Sequence, residues 1–351
     1  MIKKINIFGR TVSQQSPVFI IAEAGVNHNG NLKTAFRLID AAVAAGADAV
    51  KFQTFNAEDV VIGSGKMAEY QKRNIGKTSD SQLKMLKKLE LPDHFYGPLI
   101  KYCKDKKIIF LSTPHGGFKA VDLLERLKVP AFKFGSGDLT NLPVLQYAAK
   151  FNKPMILGTG MATFKEIQTA INTINKVGNK KIIALHCTTN YPCPFDEVNL
   201  RAMLTMKEKL QVLVGYSDHT KGIQVPIMAA TLGACLIEKH FTLDKNMFGP
   251  DHKASLEPKE LREMILAIRK VQLILGSTIK RPNKSELLML KNVRKSIVAI
   301  RDIKKGEIFS KQNLALKRPG TGLSPSYWYC LLGKKAKNNY KVDEIIKKHE
   351  I

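Results

Sequence analysis

Eight short apolar runs in this 351-residue chain end in side chains that can do chemistry. Glu23, Asn27 and His28 follow the first, Lys51 and Gln53 close the second, and Ser112 and Thr113 close the third. Lys133, Ser136 and Asp138 follow the fourth and Thr159 the fifth. His186 with Thr188, Thr189, Asn190 and Tyr191 ends the sixth, and Ser217, Asp218 and His219 end the seventh. Glu238, Lys239 and His240 end the eighth. One polar end is ordinary, because every strand must stop somewhere. Eight of them, rich in Lys, His and carboxylate, point to a convergent site.

Two chemistries are open to this set. His219 and His240 could present two imidazoles to one divalent ion, with the Glu23 carboxylate completing the shell. Such a donor set with open positions suits Mn²⁺, Fe²⁺, Co²⁺ or Zn²⁺. Lys51, Lys133 and Lys239, with the hydroxyls of Thr113 and Ser136, could instead cradle a phosphate and a carboxylate. The run KFGSGD (133–138) adds glycines that let backbone N–H groups approach an anion. In the run CLIEKHFT (235–242), strand alternation gives Glu238 and His240 one orientation and Lys239 the other. If His240 faces the site, Glu238 lies beneath it and needs a partner. Lys239 then points toward the helices, which weakens its claim on an anion.

Stepping outward, the elements that must hold these groups alternate in type. The predicted strands cover 18–25, 47–54, 107–114, 130–137, 154–161, 181–188, 211–218 and 234–241. Amphipathic stretches at 31–47, 142–151, 163–178 and 261–276 lie between or after them. Strands alternating with helices imply βαβ units and a parallel sheet, and strands apolar throughout imply burial on both faces. Eight units match a (β/α)8 barrel, whose catalytic groups come from the C-terminal strand ends. A doubly wound open sheet is the alternative, but no GxGxxG turn follows the first strand. KINIFGRTV (4–12) reads as a hairpin closing the barrel floor, and the polar insertion at 55–82 as a loop covering a site. The boundaries expected are a barrel over 1–280, a linker over 281–290, and a small mostly-β domain over 291–351.

Composition narrows the class. With 44% hydrophobic and 25% charged residues the chain is of ordinary globular type. No run approaches the roughly 20 apolar residues of a membrane span. The start, MIKKINIFGR, has no long apolar segment of the secretory kind. Five scattered cysteines without a CxxC fit a reducing cytoplasm. The formal charge of +26 raises nucleic acid as a partner. The basic residues, however, are mostly lysines dispersed on helix faces, as in KMLKKLELP (84–92), rather than Arg and aromatic clusters. No nucleic-acid and no membrane partner is therefore expected, and the same field would favour anionic small substrates.

The segments together resemble one family, the N-acetylneuraminate (sialic acid) synthases, which include legionaminic and pseudaminic acid synthases. The matching stretches are IAEAGVNHNG (21–30), KFQTF (51–55), LSTPH (111–115), KFGSGDLTNLP (133–143), GTGMAT (158–163), LHCTTNYPCP (185–194), VGYSDHT (214–220), IEKHFTLDKNMFGPDHKASLEP (237–258) and KRPGTG (317–322). They run in order over nearly the whole chain, and the tail is similar to the antifreeze-like (SAF) domain that ends these enzymes. The resemblance implies a barrel that condenses phosphoenolpyruvate with an N-acylated amino sugar. It implies a divalent metal, typically Mn²⁺ with Mg²⁺ or Co²⁺ as alternatives, on His219 and His240. It places Lys51, Thr113, Lys133, Ser136 and Ser217 around phosphoenolpyruvate or the metal shell. Glu23, Gln53, Asp138, Tyr191 and Asp251 fall near the acceptor sugar or the reacting centre. Arg318 matches an arginine inserted into the partner subunit's site, which implies a domain-swapped homodimer.

Three residues depart from the family pattern. Asp138 stands where several members have Glu, Gly158 replaces a frequent Ser, and His115 replaces a frequent Phe. These bear on the acceptor rather than on the class of chemistry. N-acetylmannosamine is the first expectation, and a 2,4-diacetamido-2,4,6-trideoxyhexose leading to legionaminic or pseudaminic acid is the alternative. A keto-deoxy sugar phosphate synthase fits less well, because such enzymes lack the antifreeze-like tail. A non-enzymatic ice- or glycan-binding protein would leave the polar strand ends unexplained.

Overall fold

Eight parallel strands, β3 to β10, form one sheet in a computed structural model that describes residues 4–76 and 81–351. The short hairpin strands β1 (Lys4–Ile7) and β2 (Arg10–Ser13) precede them. The barrel strands are β3 (Phe19–Gly25), β4 (Ala49–Thr54), β5 (Ile109–Pro114), β6 (Phe132–Phe134), β7 (Met155–Gly158), β8 (Ile182–His186), β9 (Leu213–Asp218) and β10 (Leu236–His240). Their order is β5-β4-β3-β10-β9-β8-β7-β6, and β6 returns against β5 to close the barrel. Each predicted strand is found, shortened by one or two residues at its start and, in four of them, also at its end. The fourth shortens most, because Ser136–Asp138 coil into a 3-10 turn.

Two apolar layers follow from strands buried on both faces. Alternate residues such as Ile20, Ala22, Val50 and Leu157 pack outward against the helices. The intervening set, including Phe19, Ile21, Leu111, Ile156, Ile183 and Leu236, fills the barrel with Ile5, Ile7 and Val12 of the hairpin. The hairpin therefore plugs the floor as predicted. Its Phe8-Gly9 turn has φ of 47° and 82°, the left-handed pair that a tight two-residue hairpin needs.

The helices begin and end where the sequence carries caps. Asn31 accepts from the Thr34 N–H at the start of helix Leu32–Ala45, and Gly46 closes that helix with φ of 86°. Thr163 and Glu166 form a capping box for helix Phe164–Lys176. The insertion after β4 carries helices Ala57–Val60 and Glu69–Ile75, followed by Gln82–Lys87. Residues 77–80 of the predicted cover lie outside the described residues.

The chain divides into two compact units, residues 1–276 and 277–351. The second contains β11 (Ser296–Ala299) paired antiparallel with β12 (Leu314–Lys317) around its own core of Ile297, Phe309, Leu314, Leu331, Tyr340 and Ile346. A helix, Lys284–Val293, occupies part of the stretch read as a linker. Its start is set by a capping box between Asn283 and Glu286, which the neighbouring Pro282 and basic residues mask in the sequence. Among the described residues no helix is long and apolar enough to cross a membrane.

Candidate active site

At the C-terminal ends of the barrel strands lies a cavity of about 410 Å³, lined by residues of seven of the eight strand ends and by the insertion. Of the site residues named from sequence, Glu23, Lys51, Gln53, Thr113, Lys133, Ser136, Tyr191, Ser217, His219, His240 and Asp251 all border it. Asp138 reaches it through His115. Arg318, exposed just after β12, belongs to the second unit.

Four charges form the floor. Lys51 Nζ is 2.7 Å from Glu23 Oε2 and 3.6 Å from Glu238 Oε2, and donates to Thr113 Oγ1 at 2.9 Å. Lys133 Nζ is 3.0 Å from Glu238 Oε1, which also accepts from Ser217 Oγ at 2.9 Å. All four ionic side chains are essentially buried. Burial alone would raise the Glu238 carboxyl, but the charges of Lys133 and Lys51 outweigh it and hold it well below the carboxylate range. Glu23 moves the other way, to about 7, because burial and the charge of Glu238 outweigh Lys51. The partner that strand alternation demanded for Glu238 is thus a pair of lysines. Ser217, expected near phosphoenolpyruvate or the metal shell, is engaged by Glu238.

Lys239 faces away, as alternation predicted. It is fully buried, 2.5 Å from Asp218 Oδ2, and donates to the Thr220 carbonyl. Thr220 and Tyr216 hydroxyls also donate to Asp218. This knot fixes the backbone on either side of His219 and leaves no role for Lys239 in an anion cradle.

Above the floor, His219 and His240 stand edge to face with ring centroids 5.6 Å apart. His219 Nδ1–H donates to the Thr188 carbonyl at 2.5 Å, leaving Nε2 as its lone pair. Nδ1 of His240 is buried with no hydrogen-bond partner among the described residues, 3.8 Å from Asp251 Oδ2. Burial lowers His219 to about 4 and His240 well below its ordinary value, the latter helped by the neighbouring His219. Two neutral imidazoles, one oriented by a carbonyl and one with an unclaimed buried nitrogen, suit a divalent cation. Among the described residues no cluster of three His, Cys, Asp or Glu is assembled for a metal. Glu23, offered by the sequence as a third ligand, is ion-paired to Lys51 instead and accepts from Gln53 Nε2 at 3.4 Å.

The insertion roofs the site. Tyr70 lies 4.9 Å from Tyr191, ring to ring, and the Tyr191 ring lies 4.0 Å from that of His219 at a tilt of 37°. Asn74 donates to the carbonyls of Tyr191 and Pro250, tying the insertion to the loop that carries Asp251. The Asp251 carboxyl is raised to about 6 by burial. Sequence reading missed Tyr70 and Asn74, although it marked their segment as a cover. It also missed Cys187, whose Sγ accepts from the Gly160 N–H at 3.1 Å and lies 3.2 Å from Ser136 Oγ. A lone thiol inside LHCTTN carries no signal by spacing.

A family described as the NeuB family matches residues 38–280, and a SAF domain matches residues 294–351. The chain is 52% identical over 330 residues to an N,N'-diacetyllegionaminic acid synthase of Campylobacter jejuni, covering 93% of this chain and 98% of that protein. It is 46% identical over 327 residues to an N,N'-diacetyllegionaminic acid synthase of Legionella pneumophila, covering 92% and 91%. Among solved structures, an N-acetylneuraminic acid synthetase from Leptospira borgpetersenii superposes with a TM-score of 0.71 at 34% identity, covering 81% of this chain and 94% of that one.

Proposed function

The chain belongs to the NeuB family, and from that premise we propose that it joins phosphoenolpyruvate to the open-chain form of a 2,4-diacetamido-2,4,6-trideoxyhexose, releasing phosphate and a legionaminic-type acid. The observation that carries the chemistry is the cavity in which Lys51 and Lys133 sit beside Thr113 and Ser136, below two neutral histidines. The identities of 52% and 46% to the two legionaminic acid synthases support this acceptor over N-acetylmannosamine, the first expectation from sequence.

In this reading Lys51 and Lys133 hold the anionic substrate, with the Thr113 hydroxyl and the Ser136–Gly160 turn shaping the cradle. His219 and His240 would hold a divalent ion, Mn²⁺ by preference. When bound, that ion supplies Lewis-acid polarisation of the sugar aldehyde. The C2=C3 π pair of phosphoenolpyruvate forms the bond from C3 to the aldehyde carbon, the aldehyde C=O π pair becomes an alkoxide, and C2 is left cationic. Glu23, poised near neutrality, directs water to C2 and passes its proton toward the alkoxide. The tetrahedral adduct then collapses to the C2 ketone as its C2–O bond to phosphate breaks and the hydroxyl proton leaves with the phosphate. Tyr70, Tyr191 and Asn74 keep bulk water out. Arg318 completes a partner's site in a domain-swapped dimer, and the enzyme works in the cytoplasm.

The test is phosphate release from phosphoenolpyruvate across a panel of amino sugars. The highest kcat/KM is expected with the diacetamido-trideoxyhexose. A preference for N-acetylmannosamine would return the acceptor to the first expectation, and silence with every sugar would sink the reading.

A further inference from the structure

We infer that His115 and Asp138 act as one selectivity element for the acceptor sugar, with His115 Nε2 accepting a hydrogen bond from a sugar O–H or acylamino N–H. The inference rests on the function proposed above and adds the residues that read the acceptor. Nδ1 of His115 lies 2.9 Å from Oδ2 of Asp138, and both side chains are partly open, at 28% and 18%. The pair spans the seam where β6 returns against β5, joining the turns that follow the two strands.

Both backbones are fixed. The His115 N–H donates to the Thr54 carbonyl at 3.0 Å, and the Asp138 N–H donates to the Gly135 carbonyl at 3.0 Å. The imidazole lies across Gly135, where a Cβ would stand 2.7 Å from its Cε1. Only glycine admits the ring in this position. A carboxylate can only accept, so Nδ1 carries a proton and the neutral ring keeps its lone pair on Nε2. Among the described residues Nε2 has no protein partner, and His115 borders the same cavity as Lys133 and Ser136.

Polarity decides which substrate this nitrogen serves. Phosphoenolpyruvate presents acceptor oxygens, those of its carboxylate and phosphate charged, and a lone pair backed by a carboxylate repels them. Lys51, Lys133 and Thr113 already offer that substrate cations and a hydroxyl. The acceptor sugar presents O–H and N–H donors, which match. Two of the three departures from the family pattern therefore work together: Asp138 fixes the ring, and His115 carries the polarity of the pair to the cavity.

The experiment measures binding of non-reacting sugar alditols (N-acetylmannosaminitol and the diacetamido-trideoxyhexitol) by calorimetry, alongside phosphoenolpyruvate binding. H115F is expected to weaken binding of the preferred alditol about tenfold, the size of one lost hydrogen bond in a shielded site. Phosphoenolpyruvate affinity should stay within about twofold of wild type, since its contacts are untouched. H115Q, which keeps an acceptor atom, should recover most of the loss. D138A should weaken alditol binding in the wild-type background and add little to H115F. Equal alditol affinity in wild type and H115F, parallel losses for both substrates, or additive effects of H115F and D138A would overturn the inference. A silent phosphate-release panel with an intact alditol difference would instead overturn the catalytic reading.

Discussion

Oε1 of Glu238 lies 3.0 Å from Nζ of Lys133, with both groups buried beneath the two histidines. The contact makes the strand that delivers His240 also the anchor of the two lysines proposed to hold the anionic substrate. Removing one member of a buried pair leaves an uncompensated charge, which costs about 3 kcal/mol or more. E238Q should therefore lower the urea midpoint by that free energy divided by the m-value, with the m-value itself unchanged. K133M should cost far less in the E238Q background than alone. Strictly additive losses would show that the two groups do not act as a pair.

The buried histidines outside the site set an acid limit on stability. His252 donates from Nε2 to Asn29 Oδ1 and accepts from the Thr242 hydroxyl, and His28 lies nearby with Nε2 unpartnered among the described residues. Burial lowers each from 6.5 to about 4. The folded state thus binds fewer protons than the unfolded chain across that window. Their stabilisation is complete above the unfolded value and is lost as pH falls through the folded one. H252Q should lose less Tm than wild type between pH values of about 7.5 and 5. An identical acid slope in the two proteins would remove His252 from the account.

Most of the fold was legible because parallel barrel strands are apolar on both faces and bounded by polar ends. The same rule placed Lys51, Lys133, His219 and His240 in one mouth and sent Lys239 to the helix side. What stayed hidden depends on distances that no periodicity encodes. Nothing in the spacing of His115 and Asp138 says that they touch, or that Gly135 is what lets them. Glu23 looked like a metal ligand because its type fits, but the ion pair with Lys51 is decided by packing between adjacent strands. The helix Lys284–Val293 was hidden because its capping box sits amid residues typical of a linker.

If His219 and His240 hold the divalent ion, chelation should abolish phosphate release, and added Mn²⁺ should restore it. H240A should bind Mn²⁺ far more weakly than wild type, read by titration in the absence of substrates, because one of two protein donors is gone. The fold should survive, since among the described residues His240 Nδ1 has no hydrogen-bond partner. Unchanged Mn²⁺ affinity in H240A would place the metal elsewhere.

The role given to Arg318 can be separated from a role within its own chain by mixing two inactive proteins. Arg318 is exposed after β12 in the second unit, while His240 ends β10 in the first. R318A should lose activity because its partner's site lacks the guanidinium, and H240A because its own site lacks a ligand. In a mixed dimer, the H240A chain lends its intact Arg318 to the intact site of the R318A chain. Random pairing makes half of the dimers mixed, each with one complete site, so about a quarter of wild-type activity should return on co-expression. An arginine acting within its own chain would give no recovery, because each mixed dimer would then hold one site without Arg318 and one without His240. Recovery that depends on co-expression, and is absent when the two purified dimers are briefly mixed, would identify exchange between subunits as its source.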